Sequence, residues 1–554
     1  MPITGRVDTE IPLKKCKSRK EKEMSEKELI ICGKTALGIE FGSTRIKGVL
    51  TDLDGHVLAV GFHDWENSLV NGIWTYSLEE IEAGLRHCYT AVREKVEEKY
   101  GVDLETVGAI GISAMMHGYI ALDETGKFLT PFQTWRNSNT EKAADTLTEL
   151  FQYNIPLRWT GAHLYQCVLD DEEHLKKVDF VTTLASYIHW RLTGEKVIGI
   201  GDASGIFPID SETHDYDQTM VDKFDELIAP KGYTWKLRDV LPKVLVAGQE
   251  AGCLTEEGAA FLDGSGMLKA GIPLCPPEGD AGTGMVATNS VAPRTANVSA
   301  GTSAFAMVVL EKPLSKLYRE IDMVTTPTGF PVAMSHANNG TSDLNAWVNL
   351  FKEFSELMGH PADVGALFGR LYMNSLQGDP DCGGLLSYGY LSGEGITHIN
   401  EGRPLFARTP DSKFTLANFM RAHLYTSLGA VKLGMDILLK DEGVKMDKVF
   451  GHGGFFKTPG VGQRYLAAAV NTPVTCMATA SEGGPWGMAL LAAYMIDGRK
   501  DGKLEDYLEK RIFSGMVGTT IEPDPEEVKG METFMKHYSD GLDIERAAVN
   551  TMKW

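Results

Sequence analysis

The feature that most constrains this chain is a short unit that occurs twice. In the first copy an apolar strand, Ala36-Leu37-Gly38-Ile39-Glu40, runs into Phe41-Gly42-Ser43-Thr44, and a second strand leaves over Ile46 to Leu53. In the second copy Asn297-Val298-Ser299-Ala300 runs into Gly301-Thr302-Ser303, and Ala304 to Leu310 continues as a strand. Each reads as a tight hairpin closed by glycine and hydroxyl residues. Two such units, widely separated in sequence, predict two weakly similar halves that meet near residue 290.

The intervening pattern is that of an α/β protein. Asp54-Gly55 signals a turn into a third strand, His56 to Val60. Ile81, Leu85, Cys88, Val92 and Val96 recur at helical spacing over 79–100, with Gly101 as the stop. Val107 to Ser113 and Val178 to Thr183 read as buried strands, the latter followed by a helix ending at Gly194. In the second half Leu424, Leu428, Val431, Met435 and Leu438 form one helical stripe. The strand Val449-Phe450 then enters Gly451-His452-Gly453-Gly454, and a helix over about 485–496 is expected behind that loop. The domain division is a disordered tail over 1–34, a first domain over 35–290, a second over 291–510, and a peripheral segment over 511–554.

Composition removes several classes of partner. A net charge of −21 on 554 residues repels nucleic acid and anionic membranes. It also repels nucleotides, so a bound nucleotide must be held locally, by backbone N–H groups, Mg²⁺ or a lysine. No apolar run reaches the length of about 18 residues that suggests a membrane span, and the N-terminus lacks a signal-peptide core. The eight cysteines are scattered, with no metal-ligand spacing. They read as reduced, mostly buried thiols in a cytoplasmic protein.

Gly33-Lys34-Thr35 ends like a phosphate-binding P-loop, but position 28 is Glu28 where that motif needs glycine. The two hairpins are the better phosphate candidates. A tight turn presents several N–H groups on one side, glycine permits close approach, and Ser and Thr hydroxyls add donors. Gly42, Ser43 and Thr44 would form one half of a clamp, and Gly301, Thr302 and Ser303 the other. Lys47 is placed to meet a phosphate as a point charge; it reads equally well as a solvated strand lysine. Phosphoryl transfer to an alcohol needs a carboxylate to accept the hydroxyl proton. Asp280, between glycines in Pro276-Pro277-Glu278-Gly279-Asp280-Ala281-Gly282, fits that role; taken alone it reads as a turn aspartate. His117 follows a strand, where α/β ligands bind, and Trp135-Arg136-Asn137 offers a ring face beside polar groups. Core packing explains His117 and Trp135 as readily.

Taken together these segments resemble the FGGY carbohydrate kinases. Gly38 to Thr44 resembles the family's first phosphate hairpin, and Ser299 to Ser303 its second. Tyr187 to Gly194 with Asp202-Ala203-Ser204-Gly205 resembles its mid-domain signature. Gly279-Asp280-Ala281 resembles the catalytic-aspartate segment, and Gly453-Gly454 through Gln463 to Ala467 the adenosine-side signature. The resemblance covers about residues 35–500 in order. It implies an α/β chain of two actin-like (ribonuclease-H-like) ATPase domains around a central cleft.

By the same resemblance, ATP lies on the two hairpins and on Gly453 and Gly454, and Mg²⁺ is held by Glu40 through water and by Asp280. A ketopentose, D-xylulose or L-ribulose, would lie against Met116, His117, Trp135 and Asn137 and be phosphorylated at its terminal hydroxyl. A homodimer is one expectation. An ATPase or sugar sensor without phosphotransfer is the alternative. Three departures stand out: Glu40 where the family usually has Asp, Trp135-Arg136-Asn137-Ser138-Asn139 where W-x-D-x-R is usual, and Lys457 where Ser is frequent.

Overall fold

The structure is a computed structural model that describes residues 24–477 and 483–553. Its first sheet has five strands: β1 (Thr35–Phe41), β2 (Arg45–Asp52), β3 (Val57–Asp64), β4 (Ala109–Ala114) and β5 (Glu278–Gly279), ordered β5-β4-β1-β2-β3. β1, β2 and β3 form an antiparallel meander, β4 runs parallel to β1, and β5 runs parallel to β4.

The second sheet contains β6 (Thr295–Ala300), β7 (Ala304–Val309), β8 (Asp322–Thr325), β9 (Pro331–Ala337), β10 (Lys448–His452), β11 (Val474–Met477) and β12 (Gly518–Ile521). Their order is β8-β9-β7-β6-β10-β11-β12. The inner run β9-β7-β6-β10-β11 repeats the first sheet: an antiparallel meander, then two parallel strands. The expected doubled architecture is therefore present, with β8 and β12 as edge additions.

Local sequence accounts for most elements. α1 (Leu78–Tyr100) opens on a Ser77–Glu80 capping box and closes at Gly101 in the left-handed region. Its buried stripe, Ile81, Leu85, Cys88, Val92 and Val96, packs in one core with β1 and β2. The predicted strand after Asp54-Gly55 forms and runs on to Asp64.

Four expectations are corrected. The helix α4 (Gly484–Ile496), which follows α2 (Asp280–Ala287) and α3 (Leu416–Asp436), does not pack only behind the 451–454 loop. It lies across β1 and β4 of the first sheet and against α2. A Cβ on Gly38 would stand 2.1 Å from the Pro485 carbonyl oxygen and 2.4 Å from the Ala489 nitrogen, so the helix backbone rests directly on β1. Trp486 Nε1 adds a hydrogen bond to the Gly55 carbonyl at 2.8 Å.

The 511–554 segment is not peripheral. β12 pairs with β11, and α5 (Pro525–Asp540) buries Met531, Phe534 and Tyr538 in the second core. Burying one such side chain contributes about 1.5–3 kcal/mol. Part of the expected tail is also ordered: Glu26–Ile31 is a helix with its own Ser25–Glu28 capping box, while residues 1–23 lie outside the described residues.

Among the described residues six cysteines are free, four of them buried. Cys32 is disulfide-bonded, against the expectation of reduced thiols, and Cys16 lies outside the described residues. Among the described residues no helix is long and apolar enough to cross a membrane.

Candidate active site

The C-terminal ends of β1, β4 and β5 converge on one point. Parallel register sets Glu40 and Glu278 on either side of Ser113, and Phe41 and Gly279 on either side of Ala114. Beyond that row the chain delivers the Gly42–Thr44 turn from β1, Met115 to Gly118 from β4, and Asp280 from β5. Met115 N–H donates to the Phe41 carbonyl at 2.9 Å, and Met116 N–H donates to Asp280 Oδ1 at 3.2 Å. Met116 thus meets Asp280 through its backbone.

Asp280 opens α2; the residue is exposed, while its carboxylate is surrounded by protein. Burial raises its pKa, while N–H groups of Met116 and Ala281 pull it back. Glu40 accepts hydrogen bonds from Ser113 Oγ and Thr283 Oγ1, each at 3.1 Å. Its register partner across the hairpin is Lys47. Burial and then the Asp280 charge push Glu40 up to about 7, and Lys47 opposes them. Two neighbouring oxygen donors that repel each other suit a hard divalent cation such as Mg²⁺. Gly484 preserves the space, because a Cβ there would fall 1.7 Å from Glu40 Oε2.

A second acidic pair backs this site. Glu278 accepts the N–H groups of Gly201 and Asp202 at 3.3 and 3.0 Å. Burial and the Asp202 charge push it up to about 8. Asp202 accepts from Thr183 Oγ1 at 2.6 Å and is itself raised to about 7, chiefly by burial.

The two turns share a construction. In the first, Trp65 Nε1 donates to the Gly42 carbonyl at 2.7 Å, Tyr76 Oη to the Ser43 carbonyl at 2.6 Å, and Trp65 N–H to the Thr44 carbonyl at 3.2 Å. In the second, Thr341 N–H and Oγ1 donate to the Gly301 carbonyl, and Gly340 N–H to the Thr302 carbonyl, at 2.8–2.9 Å. A planar trans peptide with its carbonyl drawn inward turns its N–H the opposite way. Both turns therefore direct the N–H groups of their hydroxyl residues away from the supporting protein. Gly453 adjoins the second turn: Ser299 pairs with His452, and Gly453, at φ +101°, comes so near Ala300 that a Cβ would meet its carbonyl at 2.5 Å.

His117 is buried and adopts φ +70°, a sparsely populated region for a non-glycine residue. Its Nδ1 lies 3.4 Å from the Gly205 carbonyl, and its ring stacks on Trp159. Burial, and then Arg158, hold its pKa well below the usual value, so the imidazole is neutral. The Trp135 segment is arranged differently from the sequence reading. Trp135 is exposed, and its Nε1 donates to Ser43 Oγ at 3.1 Å, towards the first turn. Asn137 is buried; its amide accepts from Trp74 N–H and donates to the Trp74 and Thr134 carbonyls.

Several residues escaped the sequence reading. Arg158 pairs with Asp322 on β8, and Asn154 Nδ2 reaches the same carboxylate at 2.9 Å, so the pair joins the two halves beside His117. Asn297 and His452 hydrogen-bond at 3.0 Å and line a cavity of about 180 Å³ with Asp280, Phe305 and Gly484. Arg158 carries no motif, whereas His452 stood inside a glycine-rich loop already singled out.

Comparison with known proteins gives a consistent picture. The model of the FGGY family of carbohydrate kinases, N-terminal domain, matches residues 35–287, and that of the C-terminal domain matches 296–496. A xylulose kinase of Escherichia coli (strain K12) is 25% identical over 287 residues, covering 50% of this chain and 55% of that protein. A xylulose kinase of Lactococcus lactis subsp. lactis (strain IL1403) is 22% identical over 83% of this chain and 87% of its own. The crystal structure of a ligand-bound xylulose kinase from Lactobacillus acidophilus superposes with a TM-score of 0.74 at 17% identity, over 93% of this chain and 99% of that one. The last similarity establishes the two-domain actin-like fold.

Proposed function

The chain belongs to the FGGY family of carbohydrate kinases, and from that premise we propose that it transfers the γ-phosphoryl group of ATP to the terminal hydroxyl of a ketopentose. The observation that carries this reading is Asp280, held by the Met116 N–H in the cleft between two turns of like construction.

In this reading the N–H groups of Ser43 and Thr44 meet the phosphate chain from one half, and those of Thr302 and Ser303 from the other. Gly42, Gly301, Gly453 and Gly454 allow the backbone to come close, with the adenosine beside Gly453 and Gly454. Lys47 supplies a positive charge on the Glu40 side. Asp280 accepts the proton of the attacking hydroxyl, and its raised pKa makes it a stronger base than an ordinary carboxylate. Glu40, through water, and Asp280 would hold Mg²⁺, which neutralises charge on the phosphates.

Neutral His117 donates to or accepts from a sugar hydroxyl, and the Met116 side chain borders the same pocket. Trp135 bounds the cleft near Ser43, and Asn137 acts by fixing the Trp74 strand that faces it. D-xylulose is favoured over L-ribulose by the xylulose kinases among the relatives.

A coupled ADP-release screen over D-xylulose, L-ribulose, D-ribulose, L-xylulose, L-rhamnulose and glycerol tests the substrate. We expect the largest kcat/KM with D-xylulose. Preference for glycerol or a deoxyhexulose would reject the ketopentose reading while leaving the kinase reading intact.

A further inference from the structure

Away from the phosphate site, on the chain that follows the His117 segment, three side chains of metal-ligating type converge. Cys167, Glu172 and His174 each offer one ligand atom, and these atoms lie within 4.8 Å of one another. A sharp turn creates the cluster. Cys167 is in the last turn of the helix Thr160–Leu169, Asp171 reverses the chain at φ +53°, and Glu172 N–H donates to the Cys167 carbonyl at 3.1 Å. His174 follows in the short 3₁₀ helix Glu173–Lys177.

The histidine is oriented on both sides. Its Nδ1 lies 3.0 Å from Glu172 Oε2, inside the cluster, and its Nε2 lies 2.9 Å from Tyr119 Oη. Ligating histidines characteristically have their second ring nitrogen held by such an outer partner, which fixes the tautomer. Tyr119 is fully buried, as is Cys167 nearly so, whereas Glu172 is exposed. The cluster therefore has a rigid inner wall and an open side from which an ion can enter. Lys231 and Lys176 pair with Asp171 and Glu173 rather than with the three candidate ligands.

We propose that Cys167, Glu172 and His174 form a binding site for one Zn²⁺-class ion, with Tyr119 orienting His174 from outside. Sulfur, nitrogen and oxygen donors together select a borderline-soft cation over Mg²⁺. Binding releases the Cys167 thiol proton to solvent, while His174 coordinates as neutral imidazole and Glu172 as carboxylate, so affinity rises with pH. Because Tyr119 directly follows His117-Gly118, the ion would brace the sugar-side segment from behind.

The test uses the full-length, metal-stripped protein in excess Mg²⁺. Zn²⁺ is titrated against a chromophoric chelator, and Co²⁺ is followed by absorption. One equivalent of Zn²⁺ should bind, and Co²⁺ should give a thiolate-to-metal charge-transfer band with strong tetrahedral visible bands. Cys167→Ser and His174→Ala should abolish both signals. Tyr119→Phe should weaken Zn²⁺ binding by about 10–100-fold with the cobalt band retained, and Cys253→Ser, at an exposed thiol, should change neither. A wild-type protein without the cobalt–thiolate band overturns the proposal, whether or not the variants fold. So does Zn²⁺ affinity that Cys167→Ser leaves unchanged, or that Cys253→Ser removes.

Discussion

Glu278 shows how a single residue can couple the site to stability. It lies on β5, two positions before Asp280, and its carboxyl is raised from 4.5 to about 8 by burial and by Asp202. Between those values the native state keeps a proton that the unfolded chain has released. Stability therefore falls as pH rises through that window, and below 4.5 the contribution is fully present. Glu278→Gln should flatten part of this slope, because the amide has no proton to release in this range, while its one carbonyl oxygen still accepts one of the two N–H bonds. Urea midpoints at about pH 5 and pH 8, bracketing the shift between the reference carboxyl value and the raised one, give the comparison. The wild type should lose more stability than the variant, and equal losses would remove Glu278 as a source of the slope. Its glycine surroundings and its order in the chain made Asp280 a candidate in the sequence. Its N–H partner at Met116 was not, since that contact joins residues 164 positions apart.

Among the elements, the hairpins were legible because everything that makes them is local: an apolar strand, a glycine-hydroxyl turn, an apolar strand. Helix α1 was legible for the same reason, down to its Gly101 stop. The placement of α4 was not, because nothing near Pro485 signals that β1 offers Gly38 as its contact. The reading of 511–554 as a peripheral segment likewise missed its packing. In the structure Glu527 of α5 instead binds Arg421 of α3, with Nη1 to Oε2 at 2.8 Å and Nη2 to Oε1 at 3.2 Å. Tyr425 Oη donates to the same carboxylate at 3.2 Å. Arg421 is 1% exposed, so removing its partner leaves a buried, uncompensated charge. Glu527→Ala should cost about 3–5 kcal/mol in chemical denaturation. A loss below about 1 kcal/mol, the range of an exposed ion pair, would return the segment to the periphery.

At the scale of the whole molecule, two copies of one strand order put a glycine-hydroxyl turn at the end of β1 and another at the end of β6, with Asp280 in the cavity between the halves. The repeated unit in the sequence carried that much. The cross-half links, Arg158 to Asp322 and α4 onto β1, emerge only in three dimensions because each joins segments with no shared local pattern. All of these features serve one claim: a carboxylate in the cleft takes a proton while phosphate passes from ATP to a sugar. The direct test is ADP release by Asp280→Asn with ATP, Mg²⁺ and saturating D-xylulose, alongside wild type and with nucleotide binding measured in both. Sugar-dependent ADP release is expected in the wild type, with a kcat lower by about 10²–10⁴-fold in the variant and nucleotide affinity largely kept. Sugar-dependent turnover at the wild-type rate in Asp280→Asn would rule out Asp280 as the proton acceptor.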